Sequence, residues 1–111
     1  MHIILWRFEV VPERVKEFQS IYGPSGDWAK LFDLSEGFCG TELLQPSGDS
    51  ACYITIDRWQ DELCFQAFQQ QHGQAYRELD ARCEGLTTHE EQIGVFPHLD
   101  LLDSELPGPK P

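Results

Sequence analysis

The sequence predicts a single α+β domain with the element order β-α-β-β-α-β and a four-stranded antiparallel sheet. Its 111 residues suit one globular domain. Four segments are rich in β-branched and aromatic residues, and two regions between them repeat apolar residues at helical spacing. Two right-handed crossovers in this order place the helices on one face of a sheet ordered 4-1-3-2, which is a ferredoxin-like arrangement.

The first strand and the first helical region occupy the N-terminal third of the chain. Residues 3–10 are apolar at almost every position, as expected of a strand covered on both faces. Val15, Phe18 and Tyr22 then form an apolar stripe at helical spacing, which predicts a short helix. A further helical turn or two is expected to carry Trp28.

A hairpin, a long helical region and a last strand follow. Residues 38–45 and 51–59 read as strands that flank the turn sequence PSGDS. A helical region starts at Asp61 and contains a second segment after Gly73. The last strand is predicted at 87–96, with one face formed by His89, Glu91, Ile93 and Val95.

The face of the sheet opposite the helices is predicted to meet a second copy of the chain. Strands one and three carry large apolar residues on both faces, so the helix-free face needs cover. An identical subunit is the simplest cover, and a homodimer is expected. The folded domain is predicted at 1–97, and residues 98–111 form a Pro-rich C-terminal tail.

Charge and hydropathy argue against two classes of partner. Lys and Arg number 8 against 19 Asp and Glu, and the net charge of −11 repels nucleic acid and anionic lipid surfaces. No segment approaches the roughly 20 apolar residues of a membrane span. A soluble, cytoplasmic protein without nucleic-acid or membrane partners is the expectation.

Three segments resemble a known family. They are GFCGTELL at 37–44, YITIDRW at 53–59 and FQAF at 65–68. Together with the element order they resemble the antibiotic biosynthesis monooxygenase-like family of the dimeric α/β-barrel superfamily, over about residues 2–97. The resemblance implies a pocket between sheet and helices. It also implies one of several functions, because members include cofactor-free monooxygenases of quinols and polyketides, haem-degrading enzymes and proteins without a known reaction.

No cofactor is expected. Haem degradation in the family relies on an asparagine, a tryptophan and a haem-ligating histidine, and this sequence contains no asparagine. No glycine-rich phosphate loop follows strand one. His89 and Glu91 share a strand face but are too few to form a metal site, so no metal is predicted.

The candidate catalytic residues are taken from the end of strand three and from the long helical region. A cofactor-free oxygenase needs a base, a group that stabilises the resulting anion and a dry cavity. His72 is the candidate base, because an imidazole titrates near pH ~6.5. Arg58 is the candidate anion-stabilising group, and Tyr76 is the candidate hydrogen-bond donor. The substrate-binding wall is assigned to Trp59, Trp6 and Asp57.

Four of these residues also have a purely structural interpretation. Trp59 and Tyr76 suit the core, Arg58 suits a surface ion pair, and His72 suits a solvated position at a polar helix junction. The functional prediction is a cofactor-independent monooxygenase for a small phenolic, quinol or polyketide-like aromatic substrate. The alternative is a non-enzymatic dimeric protein that binds a small ligand or serves in a stress response. A cavity that brings Trp59, Arg58 and His72 together would favour the enzyme.

Overall fold

The computed structural model describes residues 1–48 and 51–97. The predicted tail at 98–111 lies outside the described residues. The elements, in chain order, are β1 His2–Val10, a 3-10 turn Pro12–Arg14, α1 Val15–Tyr22, α2 Asp27–Phe32, β2 Phe38–Leu44, β3 Cys52–Trp59, α3 Glu62–Arg82 and β4 Thr87–Pro97. The predicted order is confirmed, and each strand begins and ends within one residue of its predicted bounds.

The four strands form one antiparallel sheet in the order β2-β3-β1-β4. This is the predicted order, counted from the other edge. Side chains alternate along β3, so Tyr53, Thr55, Asp57 and Trp59 are buried toward the helices, whereas Ile54, Ile56 and Arg58 lie on the opposite face. The sheet alternation therefore separates Asp57 from its neighbour Arg58.

A bulge near the start of β2 changes the alternation of that strand. Phe38 pairs with Trp59 and Thr41 pairs with Asp57, with the register shift between Phe38 and Gly40. Gly40 has φ +115°, a conformation that glycine adopts without steric penalty. The extra residue lets both Phe38 and Thr41 face the helices, and it places Thr41 opposite Asp57.

A second bulge in β4 contradicts the predicted strand face. His89 pairs with Glu9, whereas Val95 pairs with the buried Ile4, and the register shifts between these two pairs at Ile93. His89 and Val95 therefore lie on opposite faces. The prediction that they share one face is wrong, because an unpaired residue inverts the alternation beyond it.

The helices cover one face of the sheet and deliver aromatic side chains to it. Phe18 and Trp28 are among the buried residues of α1 and α2. Asp61 caps α3, since its Oδ1 accepts a hydrogen bond of 2.8 Å from the backbone N–H of Cys64. His72 interrupts α3 with φ −123° and ψ 21°, which confirms the predicted junction between two segments. Within residues 1–48 and 51–97, no helix has the length and hydrophobicity needed to cross a membrane.

The helix-free face of the sheet is apolar near its centre. Ile3, Leu5, Ile54 and Ile56 lie there and are partly exposed in the single chain, while Ile4 on the other face is 4% exposed. Arg7 and Glu9 form an ion pair of 3.2 Å further along β1. The face therefore has an apolar centre with charged residues beside it.

Candidate active site

A cavity of about 160 Å³ lies between the helix-covered face of the sheet and the helices. Six aromatic residues and five polar residues line it: Trp6, Phe8, Tyr22, Trp28, Phe32 and Tyr76, and Thr41, Thr55, Asp57, Asp80 and Glu90. A mainly aromatic wall with a few polar groups is typical of a small-molecule site.

Asp57 is the buried acid of this cavity. Its side chain is 9% exposed, and its Oδ1 accepts a hydrogen bond of 2.7 Å from Oγ1 of Thr41. Burial raises the pKa of Asp57 to about 6, although the Thr41 hydrogen bond acts in the opposite direction. Asp57 is therefore ionised near neutral pH and is a stronger base than an ordinary aspartate.

Two neighbouring hydroxyls extend the polar part of the cavity. Thr55 is 4% exposed and precedes Asp57 by two positions on the same face of β3. Tyr76 lies on α3, and burial, followed by the nearby carboxylates Asp80, Asp57 and Glu90, raises the pKa of its hydroxyl. Tyr76 stays protonated at neutral pH, so it can donate a hydrogen bond.

The aromatic wall is a continuous set of ring contacts. Trp6 stacks on Phe8 at a centroid distance of 6.2 Å, and Phe8 meets Tyr22 edge-on at 5.0 Å. Trp28 contacts Tyr22 at 6.1 Å and Tyr76 at 4.9 Å. The indole Nε1 of Trp28 lies near Tyr22 and Cys83 but has no well-formed hydrogen bond among the described residues. The wall can stack on or enclose a flat aromatic molecule.

Asp80 and Glu90 mark the open side of the cavity. Both are exposed, and they belong to the C-terminal half of α3 and to β4. Glu90 Oε1 accepts a hydrogen bond of 2.9 Å from Thr87 Oγ1. No Lys, Arg or His is among the lining residues of the part of the chain that the structure describes. The mouth therefore carries negative charge.

Three of the six residues predicted from the sequence line the cavity. Asp57 and Tyr76 supply polar groups, and Trp6 supplies part of the wall. Their common location follows from the fold, since the even-numbered residues of β1 pair with the odd-numbered residues of β3 on the helix-covered face of the sheet.

The other three predicted residues do not line it. Arg58 lies on the helix-free face and forms an ion pair with Glu42. This agrees with the interpretation of Arg58 as a member of a surface ion pair. Trp59 is fully buried in the core, where it packs against rings such as Phe68 at 5.2 Å. His72 lies at the kink of α3, with its ring 5.5 Å from that of Phe68. The structure therefore does not bring Trp59, Arg58 and His72 together around the cavity, and Arg58 and Trp59 lie on opposite faces because they are adjacent strand residues.

Sequence reasoning missed several lining residues, of which Thr41 and Thr55 are the most informative. The sequence contained a signal for Thr55, which is a polar residue at a core-facing position of its strand. It shares a strand face with the apolar Tyr53 and Trp59, because alternate residues of a strand point to the same side. Thr41 had no such signal, since only the bulge at Gly40 turns it toward Asp57.

Comparison with known proteins identifies the class of this fold and cavity. The family model described as antibiotic biosynthesis monooxygenase matches residues 1–79. The chain belongs to the antibiotic biosynthesis monooxygenase family. A search of curated protein sequences finds no match.

The structure is also similar to solved structures. One is a variant of SnoaB, a cofactor-independent oxygenase from Streptomyces nogalater, with 25% sequence identity, a TM-score of 0.69 and coverage of 92% of this chain and 96% of that chain. A second SnoaB structure gives 21% identity, a TM-score of 0.63 and the same coverage of 92% and 96%. A Deinococcus radiodurans protein named as a candidate antibiotic biosynthesis monooxygenase gives 10% identity, a TM-score of 0.70 and coverage of 93% and 97%. The last two likenesses concern the fold alone.

Proposed function

We propose that the protein is a cofactor-independent monooxygenase that acts on a small phenolic, quinol or polyketide-like aromatic substrate. The observation that carries the proposal is Asp57, a buried carboxylate with a pKa raised to about 6 inside an aromatic cavity. An ordinary phenol has a pKa of about 10, so the raised value narrows the gap for proton transfer from about 6 to about 4 pH units. Family membership and the likeness to a cofactor-independent oxygenase support the same reaction class.

The proposed reaction begins with proton transfer from a substrate hydroxyl to Asp57. Thr41 holds the carboxylate in place, and Tyr76 donates a hydrogen bond to a substrate oxygen. The electron-rich anion transfers electrons to dioxygen and forms a C–O bond, which gives a peroxide at a ring carbon. Loss of water breaks the O–O bond and the C–H bond and leaves a carbonyl. For a hydroquinone, the balance is hydroquinone plus O₂ giving hydroxyquinone plus water.

The base in this proposal is Asp57 rather than His72. Asp57 lines the cavity, whereas His72 packs against Phe68 outside the lining. A general base has to reach the proton that it removes, directly or through one water, so position takes precedence over the ordinary pKa of an imidazole. A catalytic role for His72 or Arg58 stays a prediction without support from the geometry.

Oxygen uptake tests the proposal. The purified protein is mixed with a panel of hydroquinones and hydroxylated polycyclic aromatics without added metal or flavin, and incorporation of one labelled oxygen atom is followed by mass spectrometry. We expect turnover by the wild type and a fall in kcat of about 10²- to 10⁴-fold in Asp57→Asn. Glu36→Gln, which removes an exposed carboxylate outside the cavity, is the matched control. No uptake with any substrate, or an Asp57→Asn loss below about threefold, would contradict the proposal.

We also propose that the protein is a homodimer whose interface is the helix-free face of the sheet. The apolar centre formed by Ile3, Leu5, Ile54 and Ile56 supports this assembly. A cytoplasmic location stays a prediction.

A further inference from the structure

The cavity presents charge of one sign from its mouth to its base. Asp80 and Glu90 line the open side, and Asp57 lies within. Among the described residues, no ion pair includes any of these three carboxylates. These three carboxylates line the same cavity as Tyr76, and after burial they are the causes that raise the pKa of its hydroxyl. A molecule that enters meets negative charge without a compensating cation from the described lining.

The cavity is also small. Its volume is about 160 Å³. An engineered apolar cavity of about 150 Å³ binds one benzene ring. One ring therefore fits inside with its hydroxyl at Asp57, and a second ring has to extend toward Asp80 and Glu90.

We propose that the cavity selects uncharged phenols of one or two rings and rejects those that carry a carboxylate. The inference rests on the proposed oxygenase function, because the reacting hydroxyl is the group that points to Asp57. The far end of such a substrate then faces Asp80 and Glu90, and like-charge repulsion at these exposed carboxylates weakens binding of an acid by about tenfold or more. A reaction that removes or esterifies any carboxylate therefore has to precede this step.

A matched pair of ligands tests the selection. The probes are para-phenylphenol and the same biphenyl with a carboxylate at the far para position, titrated calorimetrically under nitrogen so that binding is measured without turnover. At about pH 8, the carboxyl group of the acidic probe is ionised, and the phenolic hydroxyls of both probes are neutral. We expect the dissociation constant of the acid to be at least about tenfold higher, which is about 1.4 kcal/mol. High salt should reduce the difference, because exposed charges are screened.

Neutralisation of the mouth supplies the second half of the test. In the double variant Asp80→Asn/Glu90→Gln, the two dissociation constants should agree within about threefold, because the two charges that face the far end of the probe are gone and Asp57 faces its hydroxyl. The control Glu36→Gln removes an exposed carboxylate outside the cavity and should keep the full discrimination.

The outcomes separate the inference from the proposed function. Equal binding of both probes to the wild type, binding of neither, or discrimination that survives in the double variant would overturn the selection by charge. Absence of oxygen uptake with the discrimination intact would refute the oxygenase and leave the selection standing.

Discussion

Asp57 combines a functional advantage with a cost in stability. A carboxylate in a largely buried position is a better base because its ionised form is poorly solvated, and the same poor solvation disfavours the folded state when it is ionised. The Thr41 hydrogen bond offsets part of this cost. Conflict between local stability and activity is common at functional sites.

The pH dependence of unfolding follows from the pKa of Asp57. The folded value is about 6 against an ordinary value of 3.8. Between these values the unfolded chain releases the proton while the folded chain keeps it, so the free energy of unfolding falls as pH rises through this window. The full difference corresponds to roughly 3 kcal/mol above about pH 6. Asp57→Asn cannot ionise and keeps an acceptor for Thr41, so it should be more stable than wild type at about pH 8 by about 1 to 3 kcal/mol.

Denaturant unfolding at about pH 8 and about pH 4 measures this effect. At the lower pH, Asp57 is protonated in the folded chain and about half protonated in the unfolded chain, so most of the advantage of Asp57→Asn should be lost. Asp33→Asn makes the same chemical change at an exposed position and should alter stability by no more than about 0.5 kcal/mol at either pH. A gain from Asp57→Asn of equal size at both pH values would show that burial of the charge is not its cause.

The alternation of β3 decides which side chains can take part in chemistry. Asp57 and Arg58 are neighbours in sequence, but they lie on opposite faces of the sheet. Arg58→Ala should therefore leave kcat within about threefold of wild type, in contrast to Asp57→Asn. Its ion pair with Glu42 is partly exposed, so the loss of stability should not exceed about 1 kcal/mol. Oxygen uptake and a denaturation curve measure both effects, and a kcat loss above about 10²-fold would return Arg58 to the active site.

Regular alternation was predictable from the sequence, whereas the bulges were not. The strand bounds agreed within one residue because apolar and β-branched residues mark them densely. The kink at His72 was foreseen because Gly73 and polar residues interrupt the apolar pattern. The bulge at Gly40 was not foreseen, since a glycine in a strand segment is compatible with several conformations. The pairing of Thr41 with Asp57 depends on that bulge, so this part of the site was beyond the sequence pattern.

Strand geometry and packing decide which of the candidate residues meet the cavity. Asp57, Arg58 and Trp59 are consecutive, but the alternation of a strand separates the middle residue from the other two. Trp59 lies on the helix-covered face of the sheet, but its side chain is buried in the core, where Phe32, Phe38 and Phe68 surround it. Parity alone predicts a face, and only the packing of the helices determines whether a side chain on that face meets a cavity.

At the scale of the whole molecule, the two faces of the sheet have different requirements. The helices and the aromatic core cover one face, and the other face has Leu5 and Ile56 paired across neighbouring strands at its centre. A domain of this size buries a modest share of its surface alone, so apolar area on an open sheet favours association. The dimer proposal therefore rests on an unmatched apolar face and not on the cavity, which lies on the other side.

Leu5→Asp tests the proposed interface. A carboxylate at the centre of the helix-free face would have to be desolvated in a dimer, which costs several kcal/mol, whereas the isolated subunit leaves it in contact with water. We expect light scattering at micromolar concentration to give a dimer mass for the wild type and a monomer mass for Leu5→Asp. Leu63→Asp, at a helix position that is 73% exposed, introduces the same charge elsewhere and should remain dimeric. Circular dichroism shows whether the Leu5→Asp monomer is still folded, and so distinguishes dissociation from unfolding. A folded wild-type monomer or a folded Leu5→Asp dimer would contradict the proposed interface.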